Sequence, residues 1–145
     1  MAMKQIIFAI LFGVILLTIS VSSTPLRKED TLFFDWTIKT HKCDLDKCGE
    51  RPVILVYPTY DKNNKENTPK CIKFPAPTIK ARPGQHIQVL IRNKLDELTA
   101  IHWHGLLIRN TIFSDGVPAV TQCPIQPGTS FLYDFYANDH SGTHW

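Results

Sequence analysis

Methionine is confined to positions 1 and 3 of this 145-residue chain. Beyond the leader there is therefore no thioether, which argues against a stand-alone electron carrier built on Cys, two His and a weak axial Met. No apolar run reaches the roughly 18 residues of a membrane span. No stretch after residue 23 carries helical periodicity, so an α-helical bundle is excluded. No basic stripe is present: 16 Lys+Arg against 13 Asp+Glu leave a formal charge of +3. Nucleic acid is therefore not an expected partner. Internal repeats and low-complexity linkers are also missing, which leaves room for a single domain.

What is present begins with a leader. Residues Ile6 to Ile19 are almost wholly apolar, after Lys4 and before the small residues Ser20-Val21-Ser22-Ser23. This is the pattern of a secretory signal peptide, a short helix removed before Thr24, with no membrane span remaining. Residues 24–145 then form the mature domain, large enough to bury a core. Export places Cys43, Cys48, Cys71 and Cys123 in an oxidising compartment, where two disulfides are the simplest expectation. Cys43 and Cys48 are close enough to pair across a charged loop, but spacing alone leaves the connectivity open. His41 beside Cys43 reads as a surface residue rather than a metal ligand.

Short strands are expected at Thr31–Thr40, Pro52–Tyr57, Thr78–Ala81, His86–Asn93, Thr99–Trp103 and Ser130–Tyr136, with turns at Pro83-Gly84 and Pro127-Gly128. The alternation is clearest where Ile87, Val89 and Ile91 share one face, and where Phe131, Tyr133 and Phe135 do. Many short strands at close spacing predict an all-β sandwich or barrel.

The chemistry centres on His102-Trp103-His104-Gly105. On a strand, residues two apart project from the same face, so both imidazoles should stand side by side with Trp103 pointing the other way. Two neutral imidazoles on one face suit copper or zinc. Gly105 permits a close approach or an unusual dihedral. The other histidines have blander explanations. His41 borders a loop, His86 lies on a polar strand face and His140 sits in a turn sequence.

Several ordered motifs around the pair resemble the multicopper oxidases, the family of laccases, ascorbate oxidases and ferroxidases. They are Phe74-Pro75-Ala76-Pro77-Thr78-Ile79, Ala81-Arg82-Pro83-Gly84, Ile101-His102-Trp103-His104-Gly105-Leu106, Ser114-Asp115-Gly116-Val117-Pro118, Thr121-Gln122-Cys123-Pro124-Ile125 and Gly142-Thr143-His144-Trp145. Together they cover about half the chain in the right order, and little of the resemblance lies before Phe74. The resemblance implies a Greek-key, cupredoxin-like (plastocyanin-like) β-sandwich, the first domain of a secreted oxidase. It makes His102 a ligand of the type 2 copper and His104 a ligand of one type 3 copper in a trinuclear cluster. It gives Asp115 a role in proton delivery, although Asp-Gly is also a common turn dipeptide. It implies O2 as acceptor, a phenol or low-valent metal ion as donor, and later cupredoxin domains as partners.

Two departures qualify this. The family's Gly-Thr-x-Trp-x-His-x-His motif stops here at Trp145, so His144 falls on the variable position and is not a ligand. The domain is expected to be incomplete at its C-terminal end, as in a fragment or truncated gene product. In related enzymes the cysteine matching Cys123 pairs with a later domain; within this chain, Cys71 would be its alternative partner. The isolated chain is expected to lack oxidase turnover, because two ligands do not complete a catalytic shell. The alternative function is a non-catalytic secreted domain that binds copper weakly or binds a protein.

Overall fold

The computed structural model describes residues 31–44, 49–60, 62–63, 65–68, 70, 75–138 and 142–143. The expected signal peptide, Cys48, Cys71, His140, His144 and Trp145 lie outside these residues. Four strands form one sheet: β1 (Thr31–Cys43), β2 (Arg51–Pro58), β3 (His86–Asn93) and β4 (Ser130–Tyr136). The spatial order is β2-β1-β3-β4. β1 runs antiparallel to β2 and parallel to β3, and β4 returns antiparallel to β3. Among the described residues no helix is long and apolar enough to cross a membrane.

Alternation decides which face is buried. Trp36 and Ile38 of β1, Ile87, Val89 and Ile91 of β3, and Tyr133 and Phe135 of β4 all point inward, joined by Ile125 from a loop. Shifting any strand by one residue would turn its apolar set to water, which pins the register. The opposite face is polar where it matters. Arg92 binds Asp35 bidentately at 2.8 Å through both Nε and Nη2, and Thr59 donates to the same carboxylate at 2.7 Å. The Arg92 hydrogen bonds hold the Asp35 carboxyl below the ordinary aspartate range.

The second layer of the fold differs from the sequence expectation. Residues 78–81 and 99–103 do not form strands. Neither stretch lies beside a ladder, and in residues 99–103 the backbone groups go to isolated partners instead. Thr99 pairs only with Ile125, through reciprocal N–H···O bonds of 3.1 and 2.7 Å. Ile101 donates to a side chain, the Tyr133 hydroxyl. Ile79, Leu95, Ile101, Trp103, Leu106 and Ile108 nevertheless pack onto the sheet's core. This layer therefore closes the sandwich by side-chain burial with little regular backbone pairing.

Asn93 fastens the layer to the sheet. Its side chain, fully buried at the end of β3, donates to the Glu97 and Ile125 carbonyls at 2.8 and 2.9 Å and accepts from Leu95 N–H at 2.9 Å. A buried amide satisfied three ways fixes where residues 95–101 begin their path across the core.

The cysteine expectation also needs correction. Cys43 is disulfide-bonded and buried, whereas Cys123 is free and exposed. Cys123 therefore makes no disulfide, which leaves the expected second bridge unformed. Thr121-Gln122-Cys123-Pro124 lies in a surface turn, with Gln122 bridging to Pro118, and this leaves the thiol facing solvent.

Candidate metal centre

His102 and His104 sit in the irregular segment between Thr99 and the 3₁₀ turn at Ile112–Ser114. The sequence expectation brought them together by strand alternation. The structure brings them together without a strand. His104 and Gly105 form a turn, closed by Leu106 N–H donating to the Trp103 carbonyl at 3.1 Å. Gly105 takes φ of 83°, a left-handed value that glycine adopts freely. The two imidazole centroids lie 5.4 Å apart with their planes at 84°. Trp103 turns the other way, as expected, and packs on Tyr133 and Phe135 at 5.5 and 5.0 Å.

His102 is oriented by the Asp115 backbone. Its Nδ1 lies 2.8 Å from the Asp115 carbonyl oxygen. A carbonyl only accepts, so Nδ1 carries the proton and Nε2 keeps its lone pair. Neither Nε2 of His102 nor the His104 ring is hydrogen-bonded to a described residue. The same carbonyl accepts Trp103 N–H at 3.3 Å. One oxygen thus ties both the ring of His102 and the backbone that follows it. The Asp115 carboxylate is 3.6 Å from Nδ1, and its side chain is 23% exposed.

Close packing of two backbone segments makes this possible. Gly116 has φ of 85°, and a Cβ there would fall 1.7 Å from the Ile101 carbonyl oxygen. Only glycine lets residues 115–116 run against residues 101–102. The Asp115-Gly116 dipeptide therefore does more than turn the chain: its glycine admits the contact and its aspartate supplies the carbonyl. The preceding 3₁₀ turn is anchored to the sheet by Ser114, whose hydroxyl accepts Asp134 N–H at 2.9 Å.

His86 provides a contrast. Its Nδ1 is 3.0 Å from the Thr31 hydroxyl, its Nε2 is 2.7 Å from Asp134, and its ring stacks on Tyr136 at 4.7 Å. Both nitrogens are engaged, so this histidine joins strands. Burial pushes the Asp134 carboxyl up, but hydrogen bonds from His86 and Gln88 outweigh it and hold it below the ordinary range. His41 lies opposite Val53 in the β1–β2 register, away from the pair.

The donor set fits copper. An imidazole whose Nδ1–H is bound to a carbonyl presents a fixed, basic Nε2, the arrangement in which histidines ligate metals. A second imidazole at 5.4 Å can serve the same ion or an adjacent one. Among the described residues no group of three or more His, Cys, Asp or Glu gathers. The described residues therefore offer two imidazole donors here and no third. Gly116 and Tyr133 were not singled out from the sequence as holders of the site. The only signals were a Gly after Asp and an aromatic in an alternating run, neither of which names its contact.

Comparison with known proteins gives one consistent answer. The sequence profile described as multicopper oxidase matches residues 61–145. Laccase-1 of Cryptococcus neoformans is 53% identical over 72 residues, 50% of this chain and 12% of that protein. The iron transport multicopper oxidase FET3 of Kluyveromyces lactis is 38% identical over 113 residues, 77% of this chain and 16% of that protein. The crystal structure of Fet3p, a multicopper oxidase that functions in iron import, superposes with a TM-score of 0.63 at 34% identity, covering 79% of this chain and 19% of that one. The blue copper oxidase of Nitrosomonas europaea superposes with a TM-score of 0.61 at 31% identity, covering 74% of this chain and 30% of that one. The matched stretch spans less than a quarter of the length of each curated relative named.

Proposed function

Since the chain belongs to the multicopper oxidase family, we propose that it is the N-terminal domain of a secreted laccase-like oxidase, in which His102 and His104 hold copper. His102 is assigned to the type 2 ion and His104 to one type 3 ion. The observation that carries this is the 2.8 Å hydrogen bond from His102 Nδ1 to the Asp115 carbonyl, with the His104 ring 5.4 Å away. It fixes the tautomer that leaves Nε2 to the metal.

When bound, a trinuclear copper cluster supplies single-electron steps that together reduce O2 to water while a phenol or metal ion is oxidised. The chain's own residues do the positioning. The Asp115 carbonyl holds the His102 ring, Gly116 lets that carbonyl approach, and Trp103 anchors the segment in the core. Reduction of O2 to water consumes protons, and a carboxylate beside a ligand is suited to hold and release one. We assign that role to the Asp115 side chain, and its position 3.6 Å from His102 Nδ1, still partly open to water, supports the assignment. The nearest companion ligands belong to the His-x-His of this domain's own Gly-Thr-x-Trp-x-His-x-His motif, and the other ligands and most of the donor pocket to later cupredoxin domains.

Titration of the 145-residue chain with Cu(II) tests the assignment. His102→Ala and His104→Ala are each expected to weaken binding roughly tenfold or more. Equal affinity in all three proteins would refute it. The same preparation should consume no oxygen with a phenolic donor, because two imidazoles leave the shell incomplete.

A further inference from the structure

We infer that Tyr133 is a positioning residue for the His102 imidazole, holding the residue before it, Ile101, through a hydrogen bond that reaches out of the sheet core. The inference rests on His102 being a copper ligand, and it adds a residue from the middle of β4 to the machinery of that site. Tyr133 is fully buried, and its hydroxyl accepts the Ile101 N–H at 2.8 Å. Ile101 belongs to no strand, and this hydroxyl takes the place of a ladder partner. On the other side of His102, the Trp103 ring meets Tyr133 edge to face, with centroids 5.5 Å apart and planes at 84°. Tyr133 therefore touches both neighbours of the candidate ligand, one by a hydrogen bond and one by its ring.

Ile101 is gripped on its other side as well. Its carbonyl lies against Gly116, at a distance that leaves no room for even a methyl group. With the N–H released, the peptide between Ala100 and Ile101 has to turn to find water; this pulls on the Ile101 Cα, and the Ile101 carbonyl on its other side cannot shift without pushing residues 115–116 away. Asp115 carries the carbonyl that holds His102 Nδ1. A change at Tyr133 is thus transmitted to the tautomer and direction of the His102 ring. Burial pushes the Tyr133 hydroxyl's pKa up, while the Ile101 amide and the Gln122 side chain act in the opposite direction. The hydroxyl stays neutral and remains an acceptor for the amide.

Tyr133→Phe in the 145-residue chain keeps the ring and removes the acceptor. The first readout needs no metal: ring ¹⁵N shifts of neutral His102. The unmodified chain should show the Nδ1–H form, and Tyr133→Phe a mixture of both tautomers. The second readout is Cu(II) affinity, expected to fall roughly tenfold, the low end for a residue acting through a ligand's support. Phe131→Leu is the control, because Phe131 packs edge-on to Tyr133 at 4.8 Å and offers nothing to Ile101. It should loosen the core while leaving the His102 tautomer and copper affinity unchanged. The inference is overturned if Tyr133→Phe keeps both properties of the unmodified chain, or if Phe131→Leu alters them as much. Should the unmodified chain bind no Cu(II), the copper assignment falls, and the tautomer comparison still decides the role of Tyr133. Should Tyr133→Phe fail to fold, hydrogen exchange at the Ile101 amide of the unmodified chain decides: exchange as slow as in β3 supports the contact, and exchange at a free-peptide rate overturns it.

Discussion

The four-stranded sheet and the segment that carries His102 are held by different kinds of force. In the sheet, seven inward side chains from three strands share the burial, and each strand's alternation repeats the same instruction. In the segment from Thr99 to Gly116, single contacts decide the path: Thr99 with Ile125, Ile101 with Tyr133, and His102 and Trp103 with the Asp115 carbonyl. The sheet is redundant and the site is not. A residue lost from the sheet, Tyr133 apart, should cost stability and leave the site's geometry alone. A residue lost from the segment should change metal binding out of proportion to its cost in stability.

The hardest test of that contrast is Gly116→Ala. The new methyl would collide with the Ile101 carbonyl, and φ of 85° is strained for any other side chain. We expect a loss of about 4 kcal/mol or more in urea denaturation, with Cu(II) binding abolished in whatever fraction folds. A variant with near-normal stability and affinity would show that the two backbone segments are not in contact. Next in size, Ile91→Ala should cost about 3 kcal/mol by opening a cavity under the sheet. Its Cu(II) affinity, measured well below the unfolding transition, should match the unmodified chain. A tenfold change there would erase the distinction between the two regions.

A smaller effect concerns acid on the sheet's polar face. Asp35 has a folded pKa below its ordinary value because Arg92 binds it. Its contribution is therefore complete above the unfolded value of about 3.9 and fades as pH falls through the folded value. Asp35→Asn should cost roughly 1 kcal/mol at pH 7, as suits a partly exposed bidentate pair. It should also flatten the acid limb of the stability curve below about pH 4. An unchanged acid limb would mean that Arg92 does not hold this carboxylate in solution.

The same difference explains how much could be read from sequence. β3 and β4 were legible because Ile87, Val89 and Ile91, and Phe131, Tyr133 and Phe135, repeat at period two, and the bounding Pro-Gly turns mark their ends. The proximity of His102 and His104 was legible too, although for a reason the structure replaces: a turn at His104-Gly105 gathers the rings where a strand was expected. Residues 78–81 and 99–103 carry strand-like side chains because they cover a core, yet they lack a neighbouring ladder. Periodicity reports burial and is silent on pairing. The grip of Gly116 on Ile101 and the reach of Tyr133 to the same residue are long-range contacts, 15 and 32 residues apart in sequence by residue number. No local pattern encodes them. The free state of Cys123 was likewise a matter of where the turn places its thiol.

The central proposal is that the imidazoles of His102, oriented by the Asp115 carbonyl, and of His104 are where this chain takes copper. Its most direct test is site-resolved paramagnetic broadening of the histidine ring resonances during substoichiometric addition of Cu(II). The account predicts that His102 and His104 broaden first and together, while His86, engaged by Thr31 and Asp134, stays sharp. Broadening that begins at His41 or His86, with His102 and His104 unaffected, would contradict it.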